Sequence, residues 1–356
     1  MVKPFIPLGS PKPDGSQSND NFIFYGSTVN AIFEAIVLEI KKDGKFIEVK
    51  RIDGLFSGSK EFQIKWDGFI QDVYDSKFMT DTNGIGFRVK GINGGQAIAL
   101  DENTFKFKYF NKDWMDVLIN KKNKKININL RINLQDGGDQ GLEAWKYIPA
   151  IQVLQGIPPI KNRNVSFERL KTIALEGMKY YWSRNSTHST GKNISLKGDD
   201  YEVFLTAKES VEKAMPSMSL TFSTNWRPTR SANWELYRNT FYNIGYMLFN
   251  TERGAIWQFW DKAKADKNFK LTFAHEMGHE LLLAFAGQKF SKGHKCTSGV
   301  IFQNPISGTR YPRTGEIDLM KYADENENNI SLFHERSVAS KEDVAGLLFI
   351  SGISKK

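Results

Sequence analysis

The stretch His275-Glu276-Met277-Gly278-His279 constrains the fold of this chain more than any other. Two histidines four residues apart share a face on an α-helix, where side chains at that spacing stand one above the other. The flanks agree with a helix. Ala274, Gly278, Leu281 and Phe285 follow one another at steps of four, three and four, an apolar stripe along one face. Gly278 removes a side chain where another element can press close, and Gly287 stands where a C′ glycine would end the helix. On such a face both imidazoles can reach one zinc ion, with Zn–N at about 2.0–2.1 Å. Glu276 can then take a proton from a zinc-activated water and hand it to a leaving amine. A five-residue pattern recurs by chance in unrelated helices. This chain, however, has only five histidines (His188, His275, His279, His294 and His334), and two of them fall at ligand spacing.

A catalytic zinc needs a third protein ligand and an open position. His294 follows His279 by 15 residues, and Glu316 and Asp318 follow it by 37 and 39. Spacing does not choose among them. If His294 and Cys296 joined His275 and His279, the coordination would be closed, the zinc structural and the protein a non-enzymatic binding module.

Several segments resemble the zinc metallopeptidase domain carried at the C-terminus of some VgrG spike proteins of bacterial type VI secretion systems. They are AHEMGHELLLAFAG (274–287), SKGHK (291–295), GEIDLMKY (315–322) and the stretches 64–89, 132–142, 180–188 and 338–353. The resemblance implies a transthyretin-like β-domain ahead of a zincin-like peptidase domain. It also implies Zn²⁺ bound by His275, His279 and Glu316, with Glu276 as base. His294 becomes a donor to the oxyanion, and Asp318 a residue that orients a zinc-bound histidine. The chain departs from the family's pattern at Cys296 and Ala323, where a glycine and a second tyrosine would be expected. The implied setting is an antibacterial effector toxin. It would be carried on a VgrG-type spike and restrained in the producer by an immunity protein. It would act on a protein or on peptidoglycan peptides in the target-cell periplasm.

Composition limits the other classes. The 356 residues are 40% hydrophobic and 13% aromatic, enough for a sizeable core and two domains. The net charge of +9 is diffuse, and its densest run, 121–125, reads as a hairpin tip of solvated lysines. No zinc-finger spacing and no basic helix is present, which argues against nucleic acid as a partner. A single cysteine excludes an internal disulfide. The first 30 residues lack the apolar run of a cleavable signal, so synthesis in the bacterial cytoplasm and export by another route are expected. No apolar run is long enough for stable membrane insertion.

The expected fold is α+β. Residues 1–20, rich in Pro, Gly and Ser, read as a flexible arm. Residues 21–135 read as a β-sandwich. Ile126, Ile128, Leu130, Ile132 and Leu134 alternate with polar residues, 104–109 alternates in the same way, and Asp43-Gly44, Asp53-Gly54 and Asp67-Gly68 read as turns. Residues 136–160 read as a linker and 161–356 as the peptidase domain. Ser166 is expected to cap a helix bearing Phe167, Leu170, Ala174, Met178 and Tyr181, and Ser340 to cap a final one. Stretches 201–207 and 217–223 read as strands, 241–249 as helix or strand, and an edge strand of this domain should accept an extended peptide.

Overall fold

Alternation at 126–134 produces what it predicts. Ile126, Ile128, Leu130, Ile132 and Leu134 are all buried, along a strand running Lys125–Gln140. The computed structural model describes residues 3–29, 31–251, 254–293, 295–300 and 303–356. It is mixed α+β and rich in strand. It divides into two compact units, one built from 1–128, 194–202 and 345–356, the other from 129–193 and 203–344. No helix among the described residues is long and apolar enough to cross a membrane.

The first unit is antiparallel sheet. Its four-stranded sheet runs in the order Lys45–Ser57, Ile32–Lys42, Ile85–Asn93, Gln96–Phe105. A pair of strands, Phe22–Ser27 and Glu61–Trp66, meets it through aromatic rings, with Phe24 5.1 Å and Trp66 5.9 Å from Phe87. Asp43-Gly44 forms the expected hairpin turn, both residues at positive φ. Asp53-Gly54 does not turn. It lies inside Lys45–Ser57 opposite a register shift, so the extra residue is absorbed as a bulge and the strand continues.

Over residues 3–20 the expected arm is packed. Phe5, Ile6, Leu8 and Ser10 are buried, Phe5 stacks on Phe22 at 4.3 Å, and Phe5 exchanges backbone hydrogen bonds with Ile353. The proline and glycine count obscured three apolar side chains with enough surface to dock the segment. The stretch 136–160 is likewise tied down. The strand runs on to Gln140, two short 3₁₀ turns follow, and Tyr246 Oη accepts from Leu154 N and donates to Ile157 O. The unit boundaries depart from 21–135 and 161–356 because the last strand, Ile353–Lys355, pairs with Phe107–Tyr109 in the first unit.

The second unit positions the motif. Met215–Thr224 pairs in parallel with Lys125–Gln140 on one side and with Tyr237–Thr251 on the other. The short strand Ala232–Trp234 ends that order, antiparallel to Tyr237–Thr251. Helix Phe167–Tyr181 is capped by Ser166, whose Oγ accepts from Arg169 N at 3.2 Å, and it buries Leu170, Ala174, Met178 and Tyr181 as expected. It crosses the helical run Lys262–Gly293 at Gly177, where any side chain would collide with the Lys270 backbone. Ser340 Oγ accepts from Asp343 N at 3.1 Å ahead of the helix Lys341–Ile350.

Candidate metal centre

The motif lies within Lys262–Gly293, where Phe269, Phe273, Ala274, Met277 and Leu281 are buried. Gly278 is notched. A methyl group there would stand 2.5 Å from Met320 Sδ and 2.9 Å from Trp182 Cζ2. Glycine therefore lets Met320 seat on the helix between the two histidine positions. At Gly287 the run leaves helical geometry, with φ 82° and ψ 178°, conformations essentially confined to glycine. Beyond that break, Ser291 comes back against His279: its Oγ donates to His279 O at 2.6 Å.

The imidazoles are fixed by backbone. His275 Nδ1 lies 2.8 Å from Leu319 O and His279 Nδ1 lies 3.0 Å from Ser291 O. A carbonyl can only accept, so each ring proton sits on Nδ1 and each Nε2 presents a lone pair. Both lone pairs aim at one point. Tyr322 Oη occupies it, 2.8 Å from His275 Nε2 and 3.0 Å from His279 Nε2, and it also donates to Gln303 Oε1 at 3.0 Å. Burial holds the Tyr322 hydroxyl proton well above the ordinary phenol range. Three acceptors thus surround a single O–H hydrogen. The donor set fits zinc in type and tautomer.

Glu276 is buried, and burial pushes its carboxyl above the usual range, against the opposing charges of Lys292 and Arg230. The edge strand reaches the same place. Asn233 Nδ2 donates to Glu276 O at 2.8 Å, and Lys292 Nζ donates to Asn233 O at 2.8 Å beneath the Trp234 ring. Burial pushes the Lys292 ammonium down to about 8. His275, Glu276, Tyr322, Arg230 and Glu327 line one cleft of about 920 Å³. Burial raises the Glu327 carboxyl, with a hydrogen bond from Tyr311 opposing.

Glu316 is not brought to the histidines. Both its oxygens accept from Arg184 Nη2, at 2.6 and 2.7 Å, and the Arg184 side chain is fully buried. Among the described residues, no three His, Cys, Asp or Glu side chains gather as a metal-binding group. Among the described residues, Asp318 is bonded to no histidine. It accepts from Met320 N at 2.9 Å and pairs with Lys295, which also pairs with Asp343. Leu319 O takes the role expected of Asp318. His294 lies outside the described residues. Cys296 is a free, half-buried thiol at positive φ. His188 serves the fold: its Nδ1 accepts from Gly191 N at 2.8 Å and its Nε2 faces Ser337 O. Tyr322, Gln303, Lys292, Asn233, Arg230 and Glu327 carried no sequence signal of their own. Tyr322 closes the segment 315–322 and Lys292 lies within 291–295, but neither was singled out there.

No family model, curated protein or solved structure matches this chain.

Proposed function

We propose that the chain is a zinc-dependent metallopeptidase. The observation that supports this most directly is the convergence of two unprotonated imidazole nitrogens on one point beside a buried glutamate, at the wall of an open cleft. His275 and His279 would hold the ion. Bound there, zinc would supply Lewis-acid polarisation of a carbonyl and acidify a water molecule. Glu276 is the proton carrier. Its raised affinity for a proton suits a group that must accept one from water and return it to an amine. The nearby positive charges of Lys292 and Arg230 favour its ionised form before the reaction begins. Ala232–Trp234 ends the sheet order next to Glu276, and an extended peptide adding to it would pass the site. The resemblance of segments 274–287, 291–295 and 315–322 to spike-borne peptidases supports an effector role. Delivery would be by a type VI machine into a rival bacterium, with an immunity protein in the producer and a protein or a peptidoglycan peptide as substrate.

Zinc stoichiometry and peptide hydrolysis, measured together on wild type and Glu276→Gln, test the reading. Both proteins should bind about one zinc per chain, and the variant should lose on the order of 10²-fold or more in hydrolysis and lose periplasmic toxicity. Full activity in zinc-loaded Glu276→Gln would refute the mechanism.

A further inference from the structure

The phenol at the meeting point of the two histidines is held there by the fold. Tyr322 N donates to Lys295 O at 3.0 Å, and Tyr322 Oη is contacted by His275 Nε2, His279 Nε2 and Gln303 Oε1, all acceptors for the hydroxyl's one hydrogen. If that hydrogen serves Gln303, two nitrogen lone pairs face an oxygen lone pair. Protonating both Nε2 atoms would repair the contacts but would place two imidazolium charges side by side, with ring centroids 4.8 Å apart. One divalent ion among the three atoms satisfies all of them.

We infer that Tyr322 is the third protein ligand of the metal, so that His275, His279 and the Tyr322 oxygen form the set. This rests on the peptidase reading above and names a third ligand from among the described residues. Glu316, the carboxylate at family spacing, is engaged by Arg184. Ligand atoms around a tetrahedral zinc stand roughly 3.3 Å apart, given metal–ligand bonds of about 2.0–2.1 Å. The observed 2.8 and 3.0 Å separations are already close to that. Tyr322 Oη stands at the point where the two nitrogens meet, so it would draw back along its own side chain to admit an ion and remain beside it as a ligand. As the metal–oxygen bond forms, the hydroxyl proton passes to solvent, and the charge of the ion is what overcomes the hold of burial on that proton. Gln303 then turns its amide end for end so that N–H faces the phenolate. This costs its present 3.3 Å bond to Val300 O.

The test is the visible spectrum of the full chain loaded with Cu²⁺, in which a coordinated phenolate gives an intense ligand-to-metal charge-transfer band. Wild type should show the band, Tyr322→Phe should lose it with an unchanged circular-dichroism spectrum, and Glu316→Gln should keep it. Zinc affinity should fall about 10-fold or more in Tyr322→Phe and hold in Glu316→Gln. Copper bound by wild type without the band overturns the tyrosine ligand, as does a band that survives Tyr322→Phe. The wild-type spectrum decides even if the variant fails to fold. If the band is missing while hydrolysis still depends on Glu276, only this inference falls. If wild type binds no metal at all, the peptidase reading falls with it.

Discussion

Replacing Glu316 by alanine separates a structural carboxylate from a metal ligand. The Arg184 guanidinium has no exposed surface. Beyond Glu316, its near contacts are Ala339 O at 2.7 Å and Asn193 O at 3.5 Å. Without Glu316 a buried cation keeps only carbonyl partners. Removing one partner of a fully buried pair costs about 3–5 kcal/mol. The Glu316 side chain is 37% exposed, so water can replace part of what is lost. Both bonds also spring from one nitrogen and do not count twice. About 2–4 kcal/mol remains. At roughly 2–4 °C per kcal/mol for a unit of 150–250 residues, Tm should fall by about 5–15 °C. The assay is calorimetry of the metal-free protein alongside zinc titration below the transition. The expected result is a lower Tm with zinc still bound at about one per chain. An unchanged Tm with zinc lost would overturn the assignment and return Glu316 to the metal. The double variant Arg184→Met/Glu316→Leu should recover much of the loss, because neither charge is then left alone.

Three further outcomes are expected. Gly278→Ala places a methyl against Met320 and Trp182, both buried, and should cost about 1–3 kcal/mol while loosening zinc by disturbing the helix between its histidines; urea unfolding and zinc titration read both effects. Gly287→Ala strains the break that returns Ser291 to His279, and zinc affinity should drop more than far-ultraviolet dichroism does. Lys292 sits near 8 in the folded protein against 10.5 unfolded, so between those values the unfolded chain binds more protons and the Lys292 contribution to stability rises with pH. Lys292→Met should therefore flatten the dependence of metal-free stability on pH between about 8 and 10.5. An identical slope in the variant would show that the buried ammonium is not its source.

The motif helix was legible because two signals coincide on it: ligand spacing at His275 and His279, and an apolar stripe through Ala274 and Leu281. The strand at 126–134 was legible because five alternating aliphatics admit one reading. Ala232–Trp234 was not, since three residues carry no period, and its importance comes from Asn233 meeting Glu276, 43 positions away. Glu316 and Tyr322 show the limit at the site itself. Both lie in one short segment after the helix, and spacing cannot tell which faces the histidines. That is decided by Arg184, 132 positions upstream, whose buried charge takes the carboxylate. The order of residues 3–20 was hidden for a similar reason. Phe5 pairs with Ile353, a partner at the far end of the chain.

That last pairing sets a timetable for synthesis. The first unit draws strand Ile353–Lys355 onto Phe107–Tyr109, so it cannot close until residues 345–356 have left the ribosome. At about 5–20 residues per second, the interval between residue 128 and residue 345 lasts roughly 10–40 s. Throughout it Phe107–Tyr109 lacks its strand partner and Phe5 lacks the backbone of Ile353. Unpaired edges of this kind invite association with other chains. A nascent chain of this protein is therefore exposed to such association for roughly 10–40 s, and a ribosome stalled short of Ala345 would release a chain that carries every candidate site residue of the second unit while its first unit is still open at its edge.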